Sequence, residues 1–404
     1  MPDTGLDLAA LRGRFPGLAG RAVLFDGPGG SQAPEVVIDA MSEYLRASNA
    51  NLGGTFRTSL ESDVVITRAR AAAADFTGSE PEEIAFGANM TTLNFLLAHA
   101  VARTLEPGDE IVVTDLDHDA NVSPWLLVAG DHDLVVRSAP IRTSDGTLDD
   151  DALEALIGER TRVVAFTLAS NALGSITDAA RIAAAAGRVG ALAWADAVHL
   201  APHRRLRRAE LGIDVLLCSP YKFFGPHLGV AAIERGLAER LPADRVRPAE
   251  EWPPGHRFET GTQSHEAIAG ATAAVEYLRS MGDGDLDVAF ERIRDHEEAL
   301  SRRFLEAVPG IPGLDLYGIA EPGRVADRTP TFCFNLGDWE PGALALELAA
   351  RDIYVWHGDY YALGPMRALG LAERGAVRAG FLHYSTGDEV DRLLAALTEL
   401  AGRA

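Results

Sequence analysis

The sequence predicts an α/β fold: a mainly parallel sheet covered by helices on both faces, joined to a smaller α+β domain toward the C-terminus. Three observations carry this. Between about residues 85 and 235, short unbroken apolar runs alternate with helical segments; after Ser264 the texture changes to mixed helices and strands; and one long helical stretch separates the two regions.

The apolar runs are Glu110–Thr114, 134–137, 161–168, 191–195, Val215–Cys218 and Gly229–Ile233, with helical segments such as the Ala- and Arg-rich 178–187 between several of them. A strand buried on both faces has no polar side to display, so unbroken runs mark a sheet sandwiched between helix layers. Beyond Ser264 the expected order is helix Leu286–Ala307, strand Thr331–Leu336, helix 341–350, strand 353–356, strand 376–382 and an amphipathic helix over 388–402. The large domain is therefore placed at 21–265, and the small one at 266–404 together with 1–20, which is too short to fold alone.

A chain of 404 residues that is 47% hydrophobic supports two cores and excludes a disordered, collagen-like or disulfide-stapled protein. Its net charge of -22 repels phosphate backbones, so no nucleic-acid partner is expected. Residues 1–5 hold neither a basic nor an apolar run, and no stretch approaches the roughly 18 apolar residues of a membrane helix. No membrane partner is expected, and the protein is expected to be soluble and cytoplasmic. Cys218 and Cys333 each lie inside an apolar run, where a buried thiol acts as a small hydrophobe.

Lys222 is the only lysine; the rest of the 37 basic residues are arginine. An ammonium, unlike a guanidinium, loses its proton near neutral pH when desolvated, and so becomes a nucleophile or a Schiff-base partner. Lys222 follows the strand Val215–Cys218 in Ser219-Pro220-Tyr221-Lys222-Phe223-Phe224-Gly225-Pro226, a strand-end loop of the kind in which open α/β sheets place ligands.

Asp196 ends another apolar run, in Trp194-Ala195-Asp196-Ala197-Val198-His199, and points toward the same edge. It suits a metal, a salt bridge or the counter-ion of a protonated heterocycle. His118, in Asp115-Leu116-Asp117-His118-Asp119-Ala120-Asn121, suits a metal site or a ring laid on a flat cofactor. Metal is disfavoured, because the flanking acids point different ways and no second His stands at ligand spacing. Gly87-Ala88-Asn89-Met90-Thr91-Thr92 opens an apolar helix and serves either as an anion cradle or as a helix cap. Gly27-Pro28-Gly29-Gly30-Ser31 lacks the lysine of a phosphate loop and reads as a turn approaching a ligand. An amine, an acid, a stacking ring and a phosphate cradle are together the parts of a pyridoxal 5'-phosphate site.

In order and wording these segments resemble the class V aminotransferase group of pyridoxal phosphate enzymes, most nearly its cysteine desulfurase-like branch. Further matches are Pro124-Trp125, Ser170-Asn171 with Gly174, Arg257-Phe258-Glu259 with Gly261-Thr262, and Val377-Arg378 with Tyr384. The resemblance implies the pyridoxal phosphate-dependent transferase fold, fold type I, with a seven-stranded type of sheet. It implies that Lys222 forms the internal aldimine, that Asp196 pairs with the pyridinium nitrogen, and that His118 stacks on the ring with Asn171 and His199 near its phenolic oxygen. Met90, Thr91, Ser219 and Tyr221 would hold the phosphate, joined by Thr262 from a neighbouring subunit, so a homodimer with shared active sites is implied. Arg378 would clamp the carboxylate of a small amino-acid substrate, beside Asn171 and Tyr361.

The implied chemistry runs through an external aldimine and a quinonoid, with Lys222 taking the Cα proton. Desulfurases then attack the substrate sulfur with a loop cysteine, but Tyr361 falls at that position. The expectation is therefore a lyase that eliminates a β-substituent of the C–S type without a protein persulfide, with a class V aminotransferase as the alternative. A sulfur acceptor is not legible. Tyr361 or Tyr360 either serves as an acid to a leaving group or packs over the site; packing is favoured, since phenols titrating near about 10 are poor proton donors. Tyr221 where many relatives have His, His199 where desulfurases commonly have Gln, and Asn89-Met90 where Thr often binds phosphate are further departures.

Overall fold

A computed structural model describes residues 5–402; residues 1–4 and 403–404, assigned by sequence to the small domain, lie outside the described residues. The seven-stranded sheet runs in the order Ile84–Gly87, Gly229–Ile233, Val215–Cys218, Leu192–Asp196, Thr161–Thr167, Glu110–Thr114, Val135–Ala139. Gly229–Ile233 is antiparallel to both neighbours, and the other pairings are parallel.

The unbroken apolar runs have the predicted cause. Val164, Phe166, Ala193, Ala195, Leu216 and Cys218 face one core, whereas Val163, Ala165, Trp194, Val215 and Leu217 face another on the opposite side. Successive side chains of each strand thus alternate between two apolar layers. The strand Ile84–Gly87, outside the expected runs, follows the acidic turn Pro81–Glu83 directly and alternates in the same way, with Ile84 and Phe86 in one core and Ala85 in the other.

The second sheet is antiparallel, in the order Leu314–Tyr317, Thr331–Leu336, Ala376–Gly380, Trp356–Gly358. The single strand expected at 353–356 is two. Ile353–Tyr354 pairs in parallel with Val23–Leu24, while Trp356–Gly358 pairs with Ala376–Gly380. Val355 lies between the two pairings, and no residue spacing announces that the partner changes there.

Two segments also pack across the division expected at 21–265. Val23 and Phe25 belong to the small-domain core, where Phe25 meets Phe381 at a centroid distance of 4.5 Å. Conversely, the helix His265–Ser280 buries Ile268, Val275 and Leu278 in the core that includes Phe76 and Phe223. Its apolar stripe faces the large sheet's helix layer, so its packing ties it to the large domain.

Candidate active site

The carboxyl ends of the parallel strands converge on a cavity of about 1050 Å³. Glu110–Thr114 leads to His118, Thr161–Thr167 to Asn171, Leu192–Asp196 ends on Asp196 itself, and Val215–Cys218 leads through Ser219 to Lys222. Met90, Thr91, His118, Asn171, Asp196, His199, Ser219, Tyr221, Lys222, Tyr361 and Arg378 all line it. Thr262 does not: it is exposed and lines two separate cavities with Gly261 and Gln263.

Lys222 ends a short turn, Pro220–Lys222, and its Nζ donates to the carbonyl of Pro28 at 2.5 Å. The glycine-rich turn is therefore part of the site. Ser31 ties it down, donating its backbone N–H and its hydroxyl to the Tyr221 carbonyl and accepting the Phe224 N–H. Burial of the ammonium, aided by the Arg378 guanidinium, brings Lys222 down to about 7 against the opposing pull of Asp196. Asp196 is 4% exposed, and burial lifts its carboxyl to about 6 while the N–H of Val198, bonded to Oδ1, opposes the shift.

His118 accepts the Ala120 N–H at Nδ1. Burial, with Lys222 and Arg378 nearby, lowers it to about 4, so the ring is neutral at physiological pH. His199 bonds through Nε2 to Thr331 Oγ1 at 3.0 Å and Thr329 Oγ1 at 3.2 Å, with burial holding it well below the usual imidazole range.

The helix Met90–Ala102 starts at the cavity, capped by Asn89, whose side chain accepts the Thr92 N–H. Ser219 Oγ accepts the Met90 N–H at 3.0 Å, joining the lysine loop to this helix start. A helix N-terminus with hydroxyls around it favours an anion. Arg378, 4% exposed, lies with its guanidinium 4.3 Å from the Tyr360 ring centroid and donates to the Asn171 carbonyl at 2.9 Å. Arg378 Nε and Asn171 Oδ1 are buried without a protein partner, as expected of groups whose partner is a ligand.

Sequence reasoning missed several residues of the site. His227 stacks on Tyr221, with centroids 5.0 Å apart and planes 11° apart. Trp356 and Asp359 line the cavity as well, and the aromatic density of 354–361 was the available signal; Tyr360, expected with Tyr361 over the site, lines it too. Behind His118, Asp117 is buried and accepts the Asn121 amide at 2.8 Å, and burial raises its carboxyl to about 8.

A desolvated lysine and a buried carboxylate at the carboxyl edge of a seven-stranded sheet, with a helix N-terminus for an anion, define a pyridoxal phosphate enzyme of fold type I. The class-V aminotransferase family model matches residues 23–393, and the chain belongs to that family. Its relatives include an aminotransferase-like protein, FGM3, of Gibberella zeae, 30% identical over 98% of this chain and 99% of that protein. A probable cysteine desulfurase of Mycolicibacterium paratuberculosis is 32% identical over 98% of this chain, which spans 58% of that longer protein. Among solved structures, the apo cysteine desulfurase of Thermococcus onnurineus NA1 superposes with a TM-score of 0.89 at 27% identity, over 98% of both chains. The cofactor is pyridoxal 5'-phosphate, and the residues present fit it: an amine, an acid, an anion cradle and two buried polar atoms left for a ligand. Among the described residues, no helix is long and apolar enough to cross a membrane.

Proposed function

We propose that the chain is an amino-acid lyase that eliminates a β-substituent of the carbon–sulfur type without forming a persulfide on the protein. The observation that carries this reading is the state of the two thiols. Cys218 and Cys333 are wholly buried in strands, and burial pushes Cys333 up to about 12 and Cys218 up as well. A persulfide requires an accessible thiolate beside the substrate's sulfur. The loop at that position offers Tyr360 and Tyr361 instead.

Lys222 would anchor the cofactor, Asp196 would pair with its ring nitrogen, His118 would cover the ring, and Asn171 and His199 would serve its phenolic oxygen. Met90, Thr91, Ser219 and Tyr221 would hold the phosphate. Bound pyridoxal phosphate supplies an electron-withdrawing ring conjugated to the substrate's amino group, which acidifies the Cα–H bond. Arg378 takes the substrate carboxylate and fixes how Cα is presented, a task suited to a planar two-pronged cation. Lys222, whose ammonium burial brings down to about 7 so that a large share is free amine near neutral pH, takes the proton from Cα. Tyr361 packs over the entrance and excludes water.

The partner subunit's Thr262 completes the phosphate site of a homodimer. Two features support this arrangement. Phe56, Leu60 and Val64 recur every four residues at the start of the helix Arg57–Thr77 and are exposed, with Leu45 and Leu52 exposed on the segment before it, and Thr262 shares a cavity with Asn51 and Leu52. The second reading, an aminotransferase, is favoured by the Gibberella zeae relative, whose name is aminotransferase-like; in that reading Lys222 would carry the proton taken from Cα and no β-group would leave.

The test is incubation of the holoenzyme with β-substituted amino acids. Pyruvate, ammonia and a released β-group support the lyase. A stoichiometric shift to pyridoxamine phosphate, reversed by a keto acid, would establish the aminotransferase.

A further inference from the structure

One wall of the cavity is aromatic where the side chain of a bound amino acid must lie. Trp356 is the direct cross-strand partner of Arg378. Opposed residues of an antiparallel pair project to the same face, with Cβ atoms about 5 Å apart, so the indole stands beside the guanidinium. It is seated against Gly29, where an added Cβ would come within 2.2 Å of Trp356 Nε1. The adjoining Pro28 carbonyl accepts Lys222 Nζ. The indole therefore borders both the strand position of Arg378 and the turn to which Lys222 bonds, and it lines the same cavity as those two residues.

Tyr361 supplies a second aromatic surface in the same cavity. Its ring centroid is 5.5 Å from that of His118, with the planes tilted by 35°. The backbone that presents it is strained, with φ of 58° at Tyr360 and 55° at Tyr361, a left-handed conformation that L side chains rarely adopt. Two bonds from the large domain hold it there: the Asn171 amide donates to the Tyr360 carbonyl, and the Asp119 N–H donates to the Tyr361 carbonyl at 2.7 Å.

Trp356 remains 50% exposed and Tyr361 69% exposed, both lining the cavity. Rings held at fixed positions yet left uncovered offer flat contact area to a ligand at little entropic cost. The exposed carboxylate on the same loop, Asp359, opposes an acidic side chain.

We propose that Trp356 and Tyr361 are specificity residues that select an amino acid whose β-substituent is a flat aromatic group joined through sulfur. The sulfur link rests on the elimination reading of the proposed function, whereas the aromatic selection does not. In the balanced reaction the Cα–H and Cβ–S bonds break and Lys222 receives the Cα proton. The aryl thiolate leaves with the bonding pair and is protonated, and solvent water converts the remaining enamine to pyruvate and ammonium. No net oxidation or reduction occurs.

The test compares S-phenyl-L-cysteine with β-chloro-L-alanine by pyruvate release from the holoenzyme, and L-phenylalanine with L-alanine by titration of the cofactor's visible band. In Trp356→Ala and in Tyr361→Ala, the kcat/KM ratio of the phenyl to the chloro substrate is expected to fall at least tenfold, with Trp356→Phe restoring most of it. The Kd for L-phenylalanine is expected to be at least tenfold below that for L-alanine, and this advantage is expected to shrink in both alanine variants. Equal losses on both substrates, or equal affinity for the two amino acids that carry no β-leaving group, would overturn the proposal. If neither substrate yields pyruvate the elimination reading fails, and the titration still decides the aromatic one.

Discussion

Asn171 donates its side-chain amide to the Tyr360 carbonyl at 2.9 Å, and its own backbone carbonyl accepts the Arg378 guanidinium at the same distance. One residue at the end of a large-sheet strand thus fixes both the aromatic loop and the buried cation of the small domain. The two domains meet across the cavity through this residue, so the geometry of the proposed carboxylate clamp depends on the large sheet.

Replacing Asn171 with Ala removes the bond to Tyr360 but leaves the backbone bond to Arg378. The loss of stability is expected to be modest, about 1 kcal/mol by urea unfolding, as for one hydrogen bond. The loss in kcat/KM is expected to be larger, roughly tenfold or more, because the strained Tyr360-Tyr361 backbone relaxes. Steady-state kinetics beside the unfolding curve separate the two effects.

Lys222 should be reactive at an unusually low pH in the cofactor-free protein. Its amine loses its proton near about 7, against 10.5 for an ordinary lysine. Labelling of Lys222 by trinitrobenzenesulfonate, followed by peptide mass spectrometry, is expected to reach half its maximum near pH 7. The same shift has a stability consequence of definite sign. Between about 7 and 10.5 the unfolded chain binds the proton that the folded chain has lost at this residue, so the contribution of Lys222 to stability rises with pH across that window and is flat below it. It is read as the difference between the unfolding free energies of the native chain and Lys222→Met as pH is raised, which the ionisation of other buried groups leaves unchanged.

The parts of the fold and site that were legible in the sequence were those with strong local signatures. Strands buried on both faces appear as unbroken apolar runs, and a lone lysine in an arginine-rich chain stands out whatever the fold. Trp356 was lost because its role depends on pairing with Arg378 and on contact with Gly29, both distant in sequence. The change of partner at Val355 and the docking of Val23 on Ile353 are likewise tertiary facts. In the sequence Asp117 is only one of the acids flanking His118; that Thr114 and Asn121 bond it inside the core is a tertiary fact as well.

A Cβ at Gly229 would lie 2.4 Å from the Asn89 carbonyl carbon. Backbone cannot yield as a side chain does, so Gly229→Ala is expected to cost roughly 2–3 kcal/mol and to shift the helix start at Met90. Thermal unfolding reads the first effect. A weakened Kd for pyridoxal phosphate, measured by absorbance titration, reads the second.

Elimination without a protein persulfide leaves neither thiol a part in turnover. The double variant Cys218→Ala, Cys333→Ala is expected to keep at least half of the kcat at a temperature where it remains folded, with a stability loss of about 1–2 kcal/mol for each buried side chain. Mass spectrometry of the working enzyme is expected to find no added sulfur on either cysteine. A persulfide on Cys333, or loss of activity that tracks only that residue, would restore a desulfurase mechanism.

The central claim is that the sole lysine carries the cofactor. Borohydride reduction of the protein with bound pyridoxal phosphate, followed by peptide mass spectrometry, is expected to find one phosphopyridoxyl group, on the peptide holding Lys222. Lys222→Ala is expected to carry none and to lose the visible band. A protein that stays colourless when given the coenzyme, or that is labelled only at its N-terminal amine, would contradict the account.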